Sequence, residues 1–412
     1  MTVATSGQSI NGRFYIVFVR SGYLNEGVMF QTIHKRVLLA TLVGALAWSG
    51  PLSLIALSLL FPVVCRWPHP ALRRRDHALI AAFYYAAATW PVIPSGIRLF
   101  HAGAALVLIV LWIAVSLLLA LPWCLSAPPA IAMALTLVPP LGIIGVANPL
   151  TATGVLFPGT AWFGLAFTAM LPSLVIAWPK PTLVFAALVS LTTNVMYRDP
   201  APPQSWVALD TQFGDVRSPN DFAAEFRASE FIQSAAMNTD ARVLVFPEMV
   251  VTRWTEATEA FWEPTLRKLA EQRRTLIVGA GLAIGNSRDY RNALVVAGAE
   301  KQHFFQRIPL PGVMWNPIAA RDRVPLRLRG EAILTVAGER AAPLICYEQL
   351  IPWPILTAAM DRPSAILAVS NTTWTHHTPI PSVQKSSIAA WSRLFRIPVL
   401  SATNGPIPRP SD

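Results

Sequence analysis

Long uninterrupted apolar runs fill the first half of the chain, and short apolar stretches alternating with polar ones fill the second. The runs are residues 37–48, 51–65, 77–94, 102–121, 129–147, 155–178 and 182–196. About 20 residues of helix cross a bilayer, so the pattern predicts about seven helical membrane segments. They occupy residues 37–197, behind an N-terminal segment, 1–36. The first two runs are short, and Gly50-Pro51 between them marks a turn, which predicts a helical hairpin rather than one span. Pro and Gly inside the other runs are compatible with membrane helices, where neighbours satisfy the freed backbone groups.

Beyond residue 197 the rhythm becomes that of an α/β domain, entered through the linker YRDPAPPQS and extending over 198–412. WVALDTQFG reads as a short strand, followed by a polar helical stretch to about Asn238. Residues 243–246 form an apolar run expected of a strand buried on both faces, which Pro247-Glu248 ends. TLIVGAGL, NALVVAG, HFFQRIPLPG, APLICYEQ and AILAVSNTTW repeat the shape. Four strand ends thereby carry Glu248, Arg307, Cys346 and Ser370-Asn371, where open α/β sheets gather their chemistry.

Composition agrees with the division. The chain has 412 residues, of which 53% are hydrophobic and 13% charged, too apolar for an ordinary soluble enzyme. Residues 1–197 hold ten Lys+Arg against two Asp+Glu, so +8 of the net +11 belongs to the first half. The excess sits in two clusters, Arg13 to Arg36 and Arg66 to Arg75, which flank apolar runs as the positive-inside rule expects of cytoplasmic loops. With both clusters inside, residues 37–65 enter and return, and five further crossings deliver residue 198 to the outside. No basic face interleaved with aromatics is present, so direct nucleic-acid binding is not indicated. Nothing ionisable sits in the middle of a run, so neither is an ion or proton pathway. Residues 1–28 lack a signal-peptide pattern, and Met29 is a second candidate start.

Cys65, Cys124 and Cys346 are too few and scattered for a disulfide framework or a metal site. His376-His377, as neighbours on a strand, project oppositely and make a poor chelate. Cys346 taken alone is a small buried hydrophobe. Glu248 alone caps a helix, Arg307 pairs with a surface acid, and Glu348 is structural.

Their joint order changes that reading. Glu248 in FPE, a basic residue in RIPLP and Cys346 in ICYE resemble the carbon-nitrogen hydrolase (nitrilase) superfamily, whose triad is Glu-Lys-Cys. LDTQFGD, YRNALVV, SNTTW and RIPVLSATNG extend the resemblance, and the preceding membrane segments make the chain similar to apolipoprotein N-acyltransferase. The resemblance implies an αββα sandwich outside the membrane, no cofactor, and acyl transfer or amide cleavage through a cysteine thioester. Glu248 would carry the thiol proton, while Arg307 and the N–H after Cys346 would stabilise the oxyanion. Glu348, Asn371 and Trp374 would support them. Membrane-bound members of this kind accompany plasmid transfer genes. The resemblance therefore implies a multi-pass inner-membrane protein of conjugal transfer with a periplasmic C-terminal domain, whose partners are membrane lipids and envelope components. Two departures stand out. Arg307 takes the lysine's place, with Lys301 too far away to substitute at roughly 20 Å along an extended strand. Met314 stands where the acyltransferase has a glutamate. These departures keep a second reading open, an envelope assembly or binding module without turnover.

Overall fold

The computed structural model describes residues 23–70, 72–100, 102–214, 222–283, 290–312, 314–315 and 326–407. Arg13 and Arg20 of the first basic cluster, the signal-peptide question and Asp215 of LDTQFGD lie outside the described residues.

The N-terminal half is helical. Helix α1 (Tyr23–Ala47) turns at Ser49-Gly50, and a 3-10 segment (Leu52–Leu59) leads into α2 (Leu60–Arg66), so 37–65 is a hairpin. Helix α3 (Arg74–Thr89) starts where the Asp76 side chain accepts the Arg73 N–H at 2.7 Å, then bends by 52° into α4 (Val92–Phe100). Helix α5 (Ala105–Ala120), α6 (Pro129–Leu135), α7 (Thr153–Leu156), α8 (Ala161–Ala177) and α9 (Pro179–Met196) complete this half. Among the described residues one helical stretch, Ala102–Cys124, is long and apolar enough to cross a membrane by itself, and the bent α3–α4 pair is a second if counted as one. The expected run 129–147 instead holds a seven-residue helix followed by turns. Pro139-Pro140 lack the N–H groups that would continue it.

The elements alternate in direction between two ends. At one end Arg36 donates to Trp67 O, and Arg66 donates to Trp123 O and Leu125 O, at 2.6 to 2.9 Å, capping helix ends. At the other end the helices dock on the C-terminal domain. Ser386 Oγ donates to Gly50 O, Ser95 Oγ to Thr378 Oγ1 and Arg393 Nε to Gly154 O. A Cβ on Gly154 would collide with the Ala390 carbonyl, so only glycine permits this approach.

The C-terminal domain is a four-layer αββα sandwich. The first sheet holds β1 (Trp206–Ala208), β2 (Val243–Val245), β3 (Val251–Trp254), β4 (Thr275–Ala283), β5 (Tyr290–Gly298) and β6 (Gln302–Phe305). Its order is β1-β2-β4-β5-β6, with β3 also paired to β4. The second holds β7 (Leu334–Val336), β8 (Glu339–Ile345), β9 (Ala365–Asn371) and β10 (Val399–Asn404), in the order β10-β9-β8-β7. Val245, Ile277, Leu294 and Phe304 of the first sheet meet Ile345, Leu367, Val369 and Ala402 of the second in a dry core.

Helices α10 (Phe222–Met237) and α11 (Glu256–Glu271) cover the outer face of the first sheet through Ile232, Trp262, Leu266 and Leu269. Helices α12 (Pro352–Met360) and α13 (Ile380–Phe395) cover the second. Their core, with Ile355, Ile388 and Trp391, is continuous with Trp48, Phe61 and Tyr84 of the helical half. The second sheet therefore carries the junction between the halves.

Candidate active site

Cys346 follows β8 directly and opens a 3-10 turn, Cys346–Leu350, with φ of 52°. A left-handed φ at a non-glycine residue is uncommon and is held only by its surroundings. Those surroundings are specific. Glu348 Oε2 accepts the Ile345 N–H at 2.9 Å, and its Oε1 accepts the N–H groups of Arg307 and Ile308 at 2.7 and 2.9 Å. Gln349 Nε2 donates to Leu344 O and Val369 O, and Gln384 Nε2 to Cys346 O. Tyr347 OH donates to Ile143 O of the helical half at 2.8 Å. Glu348 is thus the clip between the elbow and the loop after β6. Burial raises its carboxyl above the usual carboxylate range, against the pull of Arg307 and the three N–H groups.

Glu248 leaves the end of β2 through Phe246-Pro247, and the next residue, Met249, has φ of 53°. Gly279 of β4 lies directly under this turn. A Cβ there would strike Pro247 O and Glu248 Cα. Glu248 Oε1 accepts Asn292 Nδ2 at 2.6 Å and its Oε2 accepts the Asn371 N–H at 2.8 Å. The Cys346 thiol lies beside the same carboxylate. Burial, and after it the negative charge of Glu248, push that thiol well above the ordinary cysteine range; the N–H groups of Asn371 and Tyr347 oppose them. Cys346 is partly accessible, toward a cavity.

Arg307 does not join this pair. Its guanidinium donates to Pro354 O and Thr357 Oγ1, both at 3.0 Å, on α12, and the side chain is buried there. Burial lowers its pKa, and the charge of Glu348 raises it. The residue that faces the thiol and Glu248 is Gln306. Its Nε2 donates to Ile345 O at 3.2 Å, and its Oε1 accepts Asn292 Nδ2 at 3.2 Å. The reason is strand parity. Phe304 points into the core between the sheets, side chains alternate, and so Gln306 follows it into the space between the sheets while Arg307 turns away. Sequence reasoning passed over Gln306 because it sought a basic residue. The alternation of Gln302, Phe304 and Gln306 was the signal available. Asn292, quoted earlier only as part of a motif, and Gln384 were likewise given no role.

Cys346, Glu248, Asn292, Gln306, Asn371 and Trp374 line one end of a cavity of about 720 Å³. The rest of its wall is apolar and belongs mainly to the helical half, including Trp48, Leu99, Leu108, Leu111 and Trp112. Met314 lines it too, in place of the acid. Among the described residues no Lys, Arg or His lines it, and no group of three His, Cys, Asp or Glu is placed to hold a metal. His376 and His377 sit in a turn rather than a strand, with ring centroids 3.8 Å apart.

Residues 221–405, which place this thiol and glutamate at strand ends of an αββα sandwich, match the carbon-nitrogen hydrolase family. A probable conjugal transfer protein TraB of Sinorhizobium fredii is 32% identical over 88% of this chain and 95% of its own length. The conjugal transfer protein TraB of Agrobacterium fabrum is 30% identical over 89% and 92%. The chain belongs to this TraB family of carbon-nitrogen hydrolase-fold proteins. An apolipoprotein N-acyltransferase of Pseudomonas paraeruginosa is 31% identical over 37% of this chain and 33% of its own. Among solved structures, an amidase from Nesterenkonia sp. superposes with a TM-score of 0.34 at 15% identity, covering 50% of this chain and 78% of its own.

Proposed function

We propose that this protein forms an acyl thioester on Cys346 with a lipid-borne acyl group and passes it to an acceptor at the cell envelope during conjugal plasmid transfer. The cavity is the observation that carries the reading. One space joins the thiol and Glu248 to apolar helical walls, so an acyl chain among the helices would bring its carbonyl to Sγ. Glu248 takes the thiol proton as Sγ adds, and returns it to the leaving group.

The same reading places the chain in the inner membrane as a multi-pass protein. Two observations support it. Its helical stretches run alternately between the end marked by Arg36 and Arg66 and the end that docks on the sandwich. The faces of α5 away from the protein carry exposed Leu106, Val107 and Val110. With the basic end cytoplasmic, the sandwich is periplasmic, and a periplasm-dependent reporter fused after residue 198 is active. A fusion active only in the cytoplasm overturns the topology.

The chemical test uses a phospholipid with an alkyne-tagged acyl chain in membranes holding the full chain. Hydroxylamine-labile label appears on the wild type and is absent from Cys346→Ala. A second reading, an acyl-binding module without turnover, has its own observation in the cavity lining without Lys or Arg among the described residues. It takes over if the wild type never labels and Cys346→Ala leaves plasmid transfer frequency unchanged.

A further inference from the structure

When Sγ adds to a carbonyl, negative charge develops on oxygen, and a preorganised donor must receive it. The Tyr347 N–H stands beside the thiol, but the cation that would ordinarily accompany it is spent on α12. Gln306 has both ends of its amide engaged. Asn292 Oδ1 is buried without a partner, but it is an acceptor and repels an oxyanion. Among the described residues that line the cavity, Asn371 Nδ2 is the one buried side-chain donor without a partner, although its residue is only 6% exposed. The identity of that end is fixed, because Asn371 Oδ1 accepts the Thr373 N–H at 3.2 Å and Thr373 Oγ1 at 2.8 Å. The backbone N–H of the same residue already touches Glu248 and the thiol.

We propose that Asn371 is a further catalytic residue, whose side-chain N–H donates to the acyl oxygen while Cys346 adds to the carbonyl; this rests on the thioester reading above. The Sγ–C bond forms as the C=O π pair moves onto oxygen, and the thiol proton passes to Glu248. The pair then returns, the bond to the leaving group breaks, and that group takes the proton from Glu248. Asn371 and the Tyr347 N–H hold the oxygen through both steps. The Thr373 contacts keep the amide oriented before substrate arrives, which is the condition for such a donor to act without reorganisation.

The experiment compares decanal with decanol on the full chain in detergent. Decanal adds reversibly to Cys346 as a hemithioacetal, the thiol proton ending on its oxygen, whereas decanol occupies the same cavity without addition. Asn371→Ala and Asn371→Asp should each weaken decanal binding about tenfold, the worth of one hydrogen bond to the neutral adduct, and leave decanol binding unchanged. Asn371→Asp keeps the acceptor that Thr373 uses, so the turn is preserved if Asn371→Ala fails to fold. Unchanged decanal affinity overturns the proposal. So does an equal loss for both ligands, which marks a collapsed cavity, and so does a wild type with no preference for decanal. A wild type that prefers decanal yet never takes label from the tagged phospholipid sinks the acyl-transfer reading alone and leaves Asn371 as the donor.

Discussion

The two sheets of the sandwich face each other across one core but differ in what lies behind them. The first is backed by α10 and α11, whose outer faces carry exposed Phe226, Phe231 and Phe261 among charged residues. The second is backed by α13, which buries even Gln384, Ser386, Ser387 and Ser392, because the helical half packs on its other side. The reacting groups divide along the same line. Glu248, Asn292 and Gln306 come from the free sheet, Cys346 and Asn371 from the anchored one, and Gln384 from α13 behind it. The site is therefore a clasp, closed by Glu248 on the Asn371 N–H, Gln306 on Ile345 O and Glu348 on the Arg307 N–H. Under the proposed reaction, an anchored Cys346 would stay in register with the apolar wall that guides its substrate, while Glu248 would reach it from the other side.

The largest effect should come from loosening the anchor. Trp391 of α13 is 1% exposed, in the core shared with the helical half. Trp391→Ala should cost about 4 kcal/mol, as large aromatic deletions from packed cores do, read as a lowered Tm in detergent. Phe261→Ser on the free side is 45% exposed and should stay within about 0.5 kcal/mol of wild type. Equal losses at the two positions would break the distinction between the sheets.

Next comes the clip. Glu348→Ala strands three backbone N–H groups and removes the charge that faces Arg307, which should cost about 3 kcal/mol. It should also disturb Cys346, since the Ile345 N–H is released one residue before the thiol. A variant with wild-type Tm would show that the elbow holds itself.

The α/β character of the second half and the 37–65 hairpin could be read from apolar rhythm and from Gly50-Pro51, whereas the αββα arrangement came only with the family resemblance. Two features could not. The run 129–147 has the composition of a span, but composition does not register that consecutive prolines end its helix after seven residues. The basic position was missed by one residue, and in a strand one residue is a change of face. Alternation puts Gln306 on the face of Phe304 and Arg307 on the opposite one, but nothing in the composition of FFQRIP marks which face is the inner one. Only the contact of Phe304 with the facing sheet decides it.

The pH dependence of thiol reactivity tests the electrostatics. Burial and Glu248 hold the Cys346 thiol well above its usual value, so its thiolate fraction is small at neutral pH and rises as pH rises toward the shifted pKa. Iodoacetamide alkylation of Cys346 should climb about tenfold per pH unit between about pH 6 and about pH 9, without the levelling that an ordinary thiol shows near about 8.5. Levelling at or below that value would mean that a cation reaches the thiol.

The smallest effect separates the two neighbouring residues most sharply. Gln306→Lys places an ammonium on the face that looks at Glu248 and Cys346, where an opposite charge at close range lowers an acid's pKa by about one unit or more. Alkylation of Cys346 at neutral pH should then rise about tenfold. Arg307→Lys keeps a charge but loses the fork that spans Pro354 O and Thr357 Oγ1. It should cost about 1 to 2 kcal/mol of stability and leave the alkylation rate as it was, because that side chain is turned from the thiol. If Arg307→Lys quickens alkylation and Gln306→Lys does not, the parity assigned to the end of β6 is wrong. The base and the nucleophile would then be served by the cation after all.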